Sequence, residues 1–190
     1  MESYQRLLTA AQSLSIPFSW LPGNHDHPAT MSRVLPTSDK YFIQDGWQFV
    51  LLNSYVPGDD GGVLATTELD FIQEQMLDDG SLHTAIALHH HAIPIDSPWM
   101  DTLYPLRNAS ALRGILESIN SCRTVFFGHV HQDFDQTSQN IRYLGCPATA
   151  DQFLPRSDTH LPDALLPGLR LTELHHDGSI DTHVVRLSTI

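Results

Sequence analysis

Three short, largely apolar runs, each broken off by a turn that carries histidine, constrain this chain more than any other feature. Phe18 to Leu21 runs into Pro22-Gly23-Asn24-His25-Asp26. Ala85 to Leu88 runs into His89-His90-His91, and Thr124 to Phe127 runs into Gly128-His129-Val130-His131. Short apolar runs closed by Gly, Pro or polar clusters read as buried strands. Strands apolar on both faces belong inside a sheet that is covered on both sides. Three of them side by side would deliver an amide, a carboxylate and imidazoles to one edge, where open α/β sheets build their sites. Six of the chain's 12 histidines lie in these three turns.

The remaining sequence supplies the layers. Tyr4, Leu7, Leu8, Ala11 and Leu14 recur at helical spacing, so residues 2–14 are expected to form a helix that Pro17 ends. Residues 27–36 read as a loop or short helix. Tyr41 to Ile43 and Trp47 to Leu52 read as a hairpin about Asp45-Gly46, the second strand lying inside the sheet. Gly58 to Gly62 reads as a flexible loop. Thr67 and Asp70 open a helix through Met76, and Asp79-Gly80 closes that segment. Pro94 to Pro105 is a long loop that either walls the site with Trp99 and Tyr104 or packs itself down. Asn108 caps a helix with Leu112, Ile115, Leu116 and Ile119 inward. A second hairpin spans Phe134 to Leu144, Asp151 to Pro167 is a polar loop, and a terminal hairpin turns at Asp177-Gly178. No repeat or linker divides the chain, so residues 1–190 are expected to form a single mixed α/β domain.

Charge and cysteine narrow the function classes. The net charge of −12 opposes non-specific nucleic-acid binding. An acidic protein that handles a phosphate ester needs cations at the site, and metal ions would supply them. The two cysteines, Cys122 and Cys146, suggest free thiols in a cytoplasmic setting and offer no zinc motif. No signal peptide and no long apolar run is visible, so neither secretion nor membrane insertion is expected.

Gly23-Asn24-His25-Asp26, His89 within its histidine run, and Gly128-His129-Val130-His131 resemble, in order and spacing, three of the five signature motifs of the calcineurin-like metallophosphoesterases. The wording around them is most similar to the bacterial class III 3',5'-cyclic-AMP phosphodiesterases. The resemblance implies an α/β/β/α sandwich of two mixed sheets flanked by helices. It also implies a dinuclear site of divalent iron, manganese or zinc. Asn24, His89 and His129 would bind one metal and His131 the other, while Asn24, His25 and His131 would meet the substrate. His129 and His131 are two positions apart, so the turn lets their rings address neighbouring ions. Two such ions, ~3.5–4 Å apart, can clamp the attacking and leaving oxygens of a phosphoryl displacement. His25 would be the catalytic group that contacts phosphate or protonates the leaving oxygen. Asp26 would either orient His25 or serve as a plain turn residue.

One departure stands out. The family's Asp-x-His and Gly-Asp motifs have no counterpart upstream of Gly23, and Gly58-Asp59 comes in the wrong order. The chain is therefore expected to lack N-terminal strands, to hold at most one metal and to hydrolyse cyclic AMP negligibly by itself. Three readings stay open. The chain is a cyclic-AMP phosphodiesterase, a phosphodiesterase of another substrate such as a glycerophosphodiester, or an inactive, truncated metal-binding remnant. The partner in the first two is a cyclic nucleotide or other small phosphodiester, with oligomerisation left open.

Overall fold

The computed structural model describes residues 1–76 and 82–188. Two helices, α1 (Glu2–Ser13) and α2 (Pro28–Val34), precede the hairpin β1 (Tyr41–Gln44) and β2 (Trp47–Leu51). Then follow α3 (Thr66–Gln75), β3 (His83–Leu88), α4 (Pro98–Leu103), α5 (Ala109–Glu117) and β4 (Cys122–Phe127). The chain continues through β5 (Phe134–Ser138), β6 (Ile141–Gly145), β7 (Gln152–Phe153), β8 (Pro162–Asp163), β9 (Gly168–Leu174) and β10 (Ile180–Arg186). Asp79-Gly80, expected to close α3, lies outside the described residues.

Six strands form a mixed sheet in the order β1-β2-β3-β4-β6-β5. The inner pairs β2–β3, β3–β4 and β4–β6 are parallel, and antiparallel β1 and β5 close the edges. Parallel neighbours need a long crossover, which α3 supplies between β2 and β3 and α5 supplies between β3 and β4. These crossovers explain why the apolar runs of β3 and β4 lack alternation. Val50, Ile86, Val125 and Phe127 pack with Ile72 and Met76 on the α3 side and Leu112 and Leu116 of α5. Each such side chain contributes about 1.5–3 kcal/mol by leaving water.

Successive strand residues face opposite sides, so Trp47 lies on the face away from Val50. On that face Trp47 Nε1 donates to His175 O at 2.9 Å, and Arg142 Nη1 donates to Ile180 O at 2.7 Å. These bonds dock the β9–β10 pair, which runs antiparallel from Gly168–Arg186 to Leu174–Ile180. The helix-covered mixed sheet with a second β layer matches the expected mixed α/β class.

Several local expectations change. Phe18 to Leu21 is not a strand. Among the described residues no ladder partner takes its backbone; instead Trp20 N–H donates to Ser38 Oγ at 3.0 Å and Trp20 Nε1 donates to Pro36 O at 2.9 Å. Only two of the three histidine turns therefore follow strands. The expected loop over residues 94–105 contains α4. Pro98 starts it, and Asp101 accepts the Ile95 and Ser97 N–H groups at 3.0 and 3.2 Å. Asn108 stands at the α5 N-cap, but its amide grips Leu64 N and O at 3.0 and 2.8 Å, fastening the helix to the preceding loop. The loop over 58–62 is pinned, not free. Arg107 holds Asp59 through two bonds of 2.5 and 2.6 Å, and Gly62 N–H donates to Pro105 O at 3.0 Å. β7 and β8 pair within the expected polar loop over 151–167. The α1 helix forms but buries none of its residues. No helix among the described residues is long and apolar enough to cross a membrane. Cys122 and Cys146 are both free.

Candidate metal centre

The site begins where β3 and β4 end side by side. His89 O accepts the backbone N–H groups of Gly128 and His129 at 3.1 and 3.0 Å, stitching the two histidine turns together. The Asn24 turn settles over them because Gly23 has no side chain. A Cβ there would lie 2.8 Å from His89 Cε1, so this close approach admits only glycine.

Three groups converge as a result. His89 Nε2 lies 2.8 Å from Asn24 Oδ1 and 3.1 Å from His129 Nδ1. Asn24 Nδ2 donates to Asp60 Oδ1 at 3.2 Å, which turns the Asn24 carbonyl oxygen toward the imidazoles. Burial first, and then the neighbouring histidines, hold His89 down to about 3 and push His129 far below the ordinary imidazole range. Both rings are thus neutral near neutral pH. One shared N–H can serve only one pair among two imidazole nitrogens and an amide oxygen. A cation would satisfy all three lone pairs, and neutral imidazole is the ligating form. His129 Nδ1 faces the cluster, and its buried Nε2 has no partner among the described residues. The donor set fits a divalent transition metal.

His90 stands within reach of the same cluster. Its nitrogens are already engaged, Nδ1 with Ser54 Oγ at 2.8 Å and Nε2 with Asp60 O at 3.1 Å. It is fully buried, and burial lowers it to about 4. Ring contacts at 4.9 Å to His89 and 4.7 Å to His129 make it the floor under the two expected ligands. Gly62 passes so close that a Cβ would lie 2.4 Å from His90 Nδ1.

His131 sits beside the trio, outside its tight group. Asp151 O is 2.8 Å from His131 Nδ1. A carbonyl only accepts, so Nδ1 carries the proton and Nε2 presents a lone pair. Its φ of +49° is a left-handed conformation uncommon away from glycine and typical of constrained functional turns. His25 is exposed and lines a cavity of about 360 Å³ with Asn24, Asp60 and His129. Trp99, Met100, Tyr104, Phe153 and His160 complete its lining. Asp26 does not engage His25 among the described bonds. Its oxygens accept Gly23 N–H at 2.8 Å and the Tyr4 hydroxyl at 2.9 Å, as a turn residue's would. His91 is buried behind the site, with Nε2 3.2 Å from Asp101 Oδ1 in an ion-pair contact that lacks hydrogen-bond alignment.

Sequence reading brought together Asn24, His89 and His129 and missed Ser54, Asp60, Phe153 and His160. The acidic Pro57-Gly58-Asp59-Asp60-Gly61-Gly62 stretch was the only sequence mark of Asp60. Nothing periodic marks Phe153 or His160, because a loop fold brings them in.

Residues 2–133 match the calcineurin-like phosphoesterase family. The chain is 35% identical over 193 residues to a 3',5'-cyclic adenosine monophosphate phosphodiesterase of Pseudomonas aeruginosa, covering all of this chain and 71% of that protein. It is 36% identical over 190 residues to a 3',5'-cyclic-nucleotide phosphodiesterase of Nostoc sp., covering 98% and 71%. A dimetal phosphatase from Danio rerio shares the fold at TM-score 0.50 and 13% identity, over 76% of this chain and 58% of that one.

Proposed function

The chain belongs to the calcineurin-like phosphoesterases, and from that premise we propose that it is a metal-dependent hydrolase of 3',5'-cyclic AMP, yielding 5'-AMP. The observation that carries this reading is the convergence of Asn24 Oδ1, His89 Nε2 and His129 Nδ1 with one proton at most between the two imidazoles. These three would hold a divalent ion, iron, manganese or zinc by donor type, with His131 alongside. When bound, such an ion neutralises phosphoryl charge and acidifies water.

The chain's own groups do the rest. Asn24 is fixed by Asp60 so that its oxygen, not its amide nitrogen, points inward. His90 props His89 and His129 from below. His25, exposed in the cavity wall, would face the phosphate of a bound substrate. Opening the cyclic ester adds water's hydroxyl to phosphorus and leaves the 3' oxygen needing a proton. Histidine is the side chain suited to supply one near neutral pH.

The test is metal analysis of the purified chain equilibrated with Mn²⁺, followed by prolonged incubation with cyclic AMP. The expected result is bound Mn²⁺ that is lost in His129→Ala, with release of 5'-AMP that vanishes in the same variant. Release of 3'-AMP, or conversion indifferent to His129, would contradict the proposal.

A further inference from the structure

We infer that the aromatic wall of the cavity, formed by Trp99, Tyr104, Phe153 and His160, is the subsite for the purine base of the nucleotide. The inference rests on the phosphodiester reading of the metal pole and adds what selects the rest of the ligand. The cavity lining is of two chemical kinds. Asn24, His25, Asp60 and His129 are polar, and Trp99, Met100, Tyr104, Phe153 and His160 are largely aromatic and apolar; the two kinds adjoin where Tyr104 meets His129 at 6.3 Å. Its volume, about 360 Å³, lies at the small end of ligand sites, enough for one nucleotide-sized molecule. A ligand that matches both kinds of lining carries a phosphate and a flat, weakly polar group.

The rings form a notch. Phe153 stacks on His131 at 4.3 Å with planes 9° apart, so the aromatic wall starts at the proposed metal ligand itself. Trp99 meets Phe153 edge-on at 5.4 Å, His160 at 5.2 Å and Tyr104 at 5.8 Å. His160 in turn meets Phe153 edge-on at 5.0 Å. Trp99 is buried, but His160 is exposed, and packing alone does not require a polar ring at that rim.

The chain invests structure in holding that rim. Phe153 pairs with Pro162 and Gln152 with Asp163. Leu154 N–H donates to Leu161 O at 2.9 Å, and Ser157 Oγ donates to Thr159 O at 2.6 Å. Gln152 Nε2 donates to the carbonyls of Ala148 and Ala150 at 2.7 and 2.8 Å. These bonds set Phe153 and His160 face to edge although seven positions separate them. Bases stack on such rings with little regard to their hydrogen-bonding edges, so the subsite selects a base over no base more strongly than one purine over another.

The test is calorimetric titration of the Mn²⁺-loaded chain with 5'-AMP, ribose 5-phosphate and inorganic phosphate. The expected result is 5'-AMP binding roughly tenfold or more tighter than ribose 5-phosphate. In His160→Ala, and independently in Phe153→Leu, that preference should shrink several-fold while ribose 5-phosphate affinity holds. Equal affinity for the two ligands in the unaltered chain, or a preference undiminished in both variants, would overturn the base subsite and leave the metal pole standing. Binding of none of the three ligands would overturn the phosphodiester reading and the subsite together.

Discussion

Asn24 Nδ2 donates to Asp60 Oδ1 at 3.2 Å, and this one bond decides which end of the Asn24 amide faces the histidines. An amide can present an oxygen or a nitrogen, and only the oxygen ligates a cation. Asp60 is held for this work by its own loop, which Arg107 clamps through Asp59. Asp60→Ala should therefore weaken Mn²⁺ binding by about 10–100-fold without unfolding the chain, as loss of a ligand's orienting partner does. Isothermal titration would show it, and an unchanged affinity would remove Asp60 from this role.

His129 and His25 should separate cleanly. His129→Ala removes a converging nitrogen and should abolish metal uptake. His25→Ala should leave metal content nearly intact and lower turnover by about 10²–10⁴-fold, the range for a lost proton-transfer group. Metal analysis beside a 5'-AMP assay compares the two. If His25→Ala strips the metal, its assignment to the substrate is wrong.

Gly62 is expected to tolerate no side chain. Gly62→Ala would press a methyl group against the His90 ring, within 2.4 Å of Nδ1. Overpacking of this kind costs about 1–3 kcal/mol, which lowers Tm by roughly 2–4 °C per kcal/mol in a domain of this size. Metal affinity should fall with it, because His90 supports His89 and His129. A variant with native Tm would show that the loop gives way more easily than its hydrogen bonds suggest.

Acid should destabilise the metal-free chain. His89 and His90 titrate near 3 and 4 in the fold, against 6.5 ordinarily. Between those values the unfolded chain binds protons that the folded chain refuses, so stability is complete above about pH 6.5 and falls as pH drops toward 4. The slope can reach about 1.4 kcal/mol per pH unit for each group. Thermal melts from about pH 7 to about pH 4.5 should record this, and His89→Gln should flatten the slope. An equal slope in the variant would place the acid sensitivity elsewhere.

Read alone, the sequence specified the β3 and β4 strands, the α3 and α5 crossovers and the closeness of His89 to His129, while Asn24 joined them through the family resemblance. Those features are local: apolar runs, glycines at turns, and histidines placed directly after strand ends. It also carried the family resemblance, since three motifs in order need no geometry to be recognised. Tertiary structure alone decided that Phe18 to Leu21, strand-like in composition, finds no ladder partner among the described residues and is held instead through Trp20 by Ser38 and Pro36. A strand exists only when another backbone takes its hydrogen bonds, and no residue pattern states whether one is there. The same holds for Asp60, Ser54, Phe153 and His160. Their roles come from a pinned loop and a two-residue strand pair that bring positions far apart in sequence into contact, so what each one touches is fixed by packing and was not written at its own place in the chain.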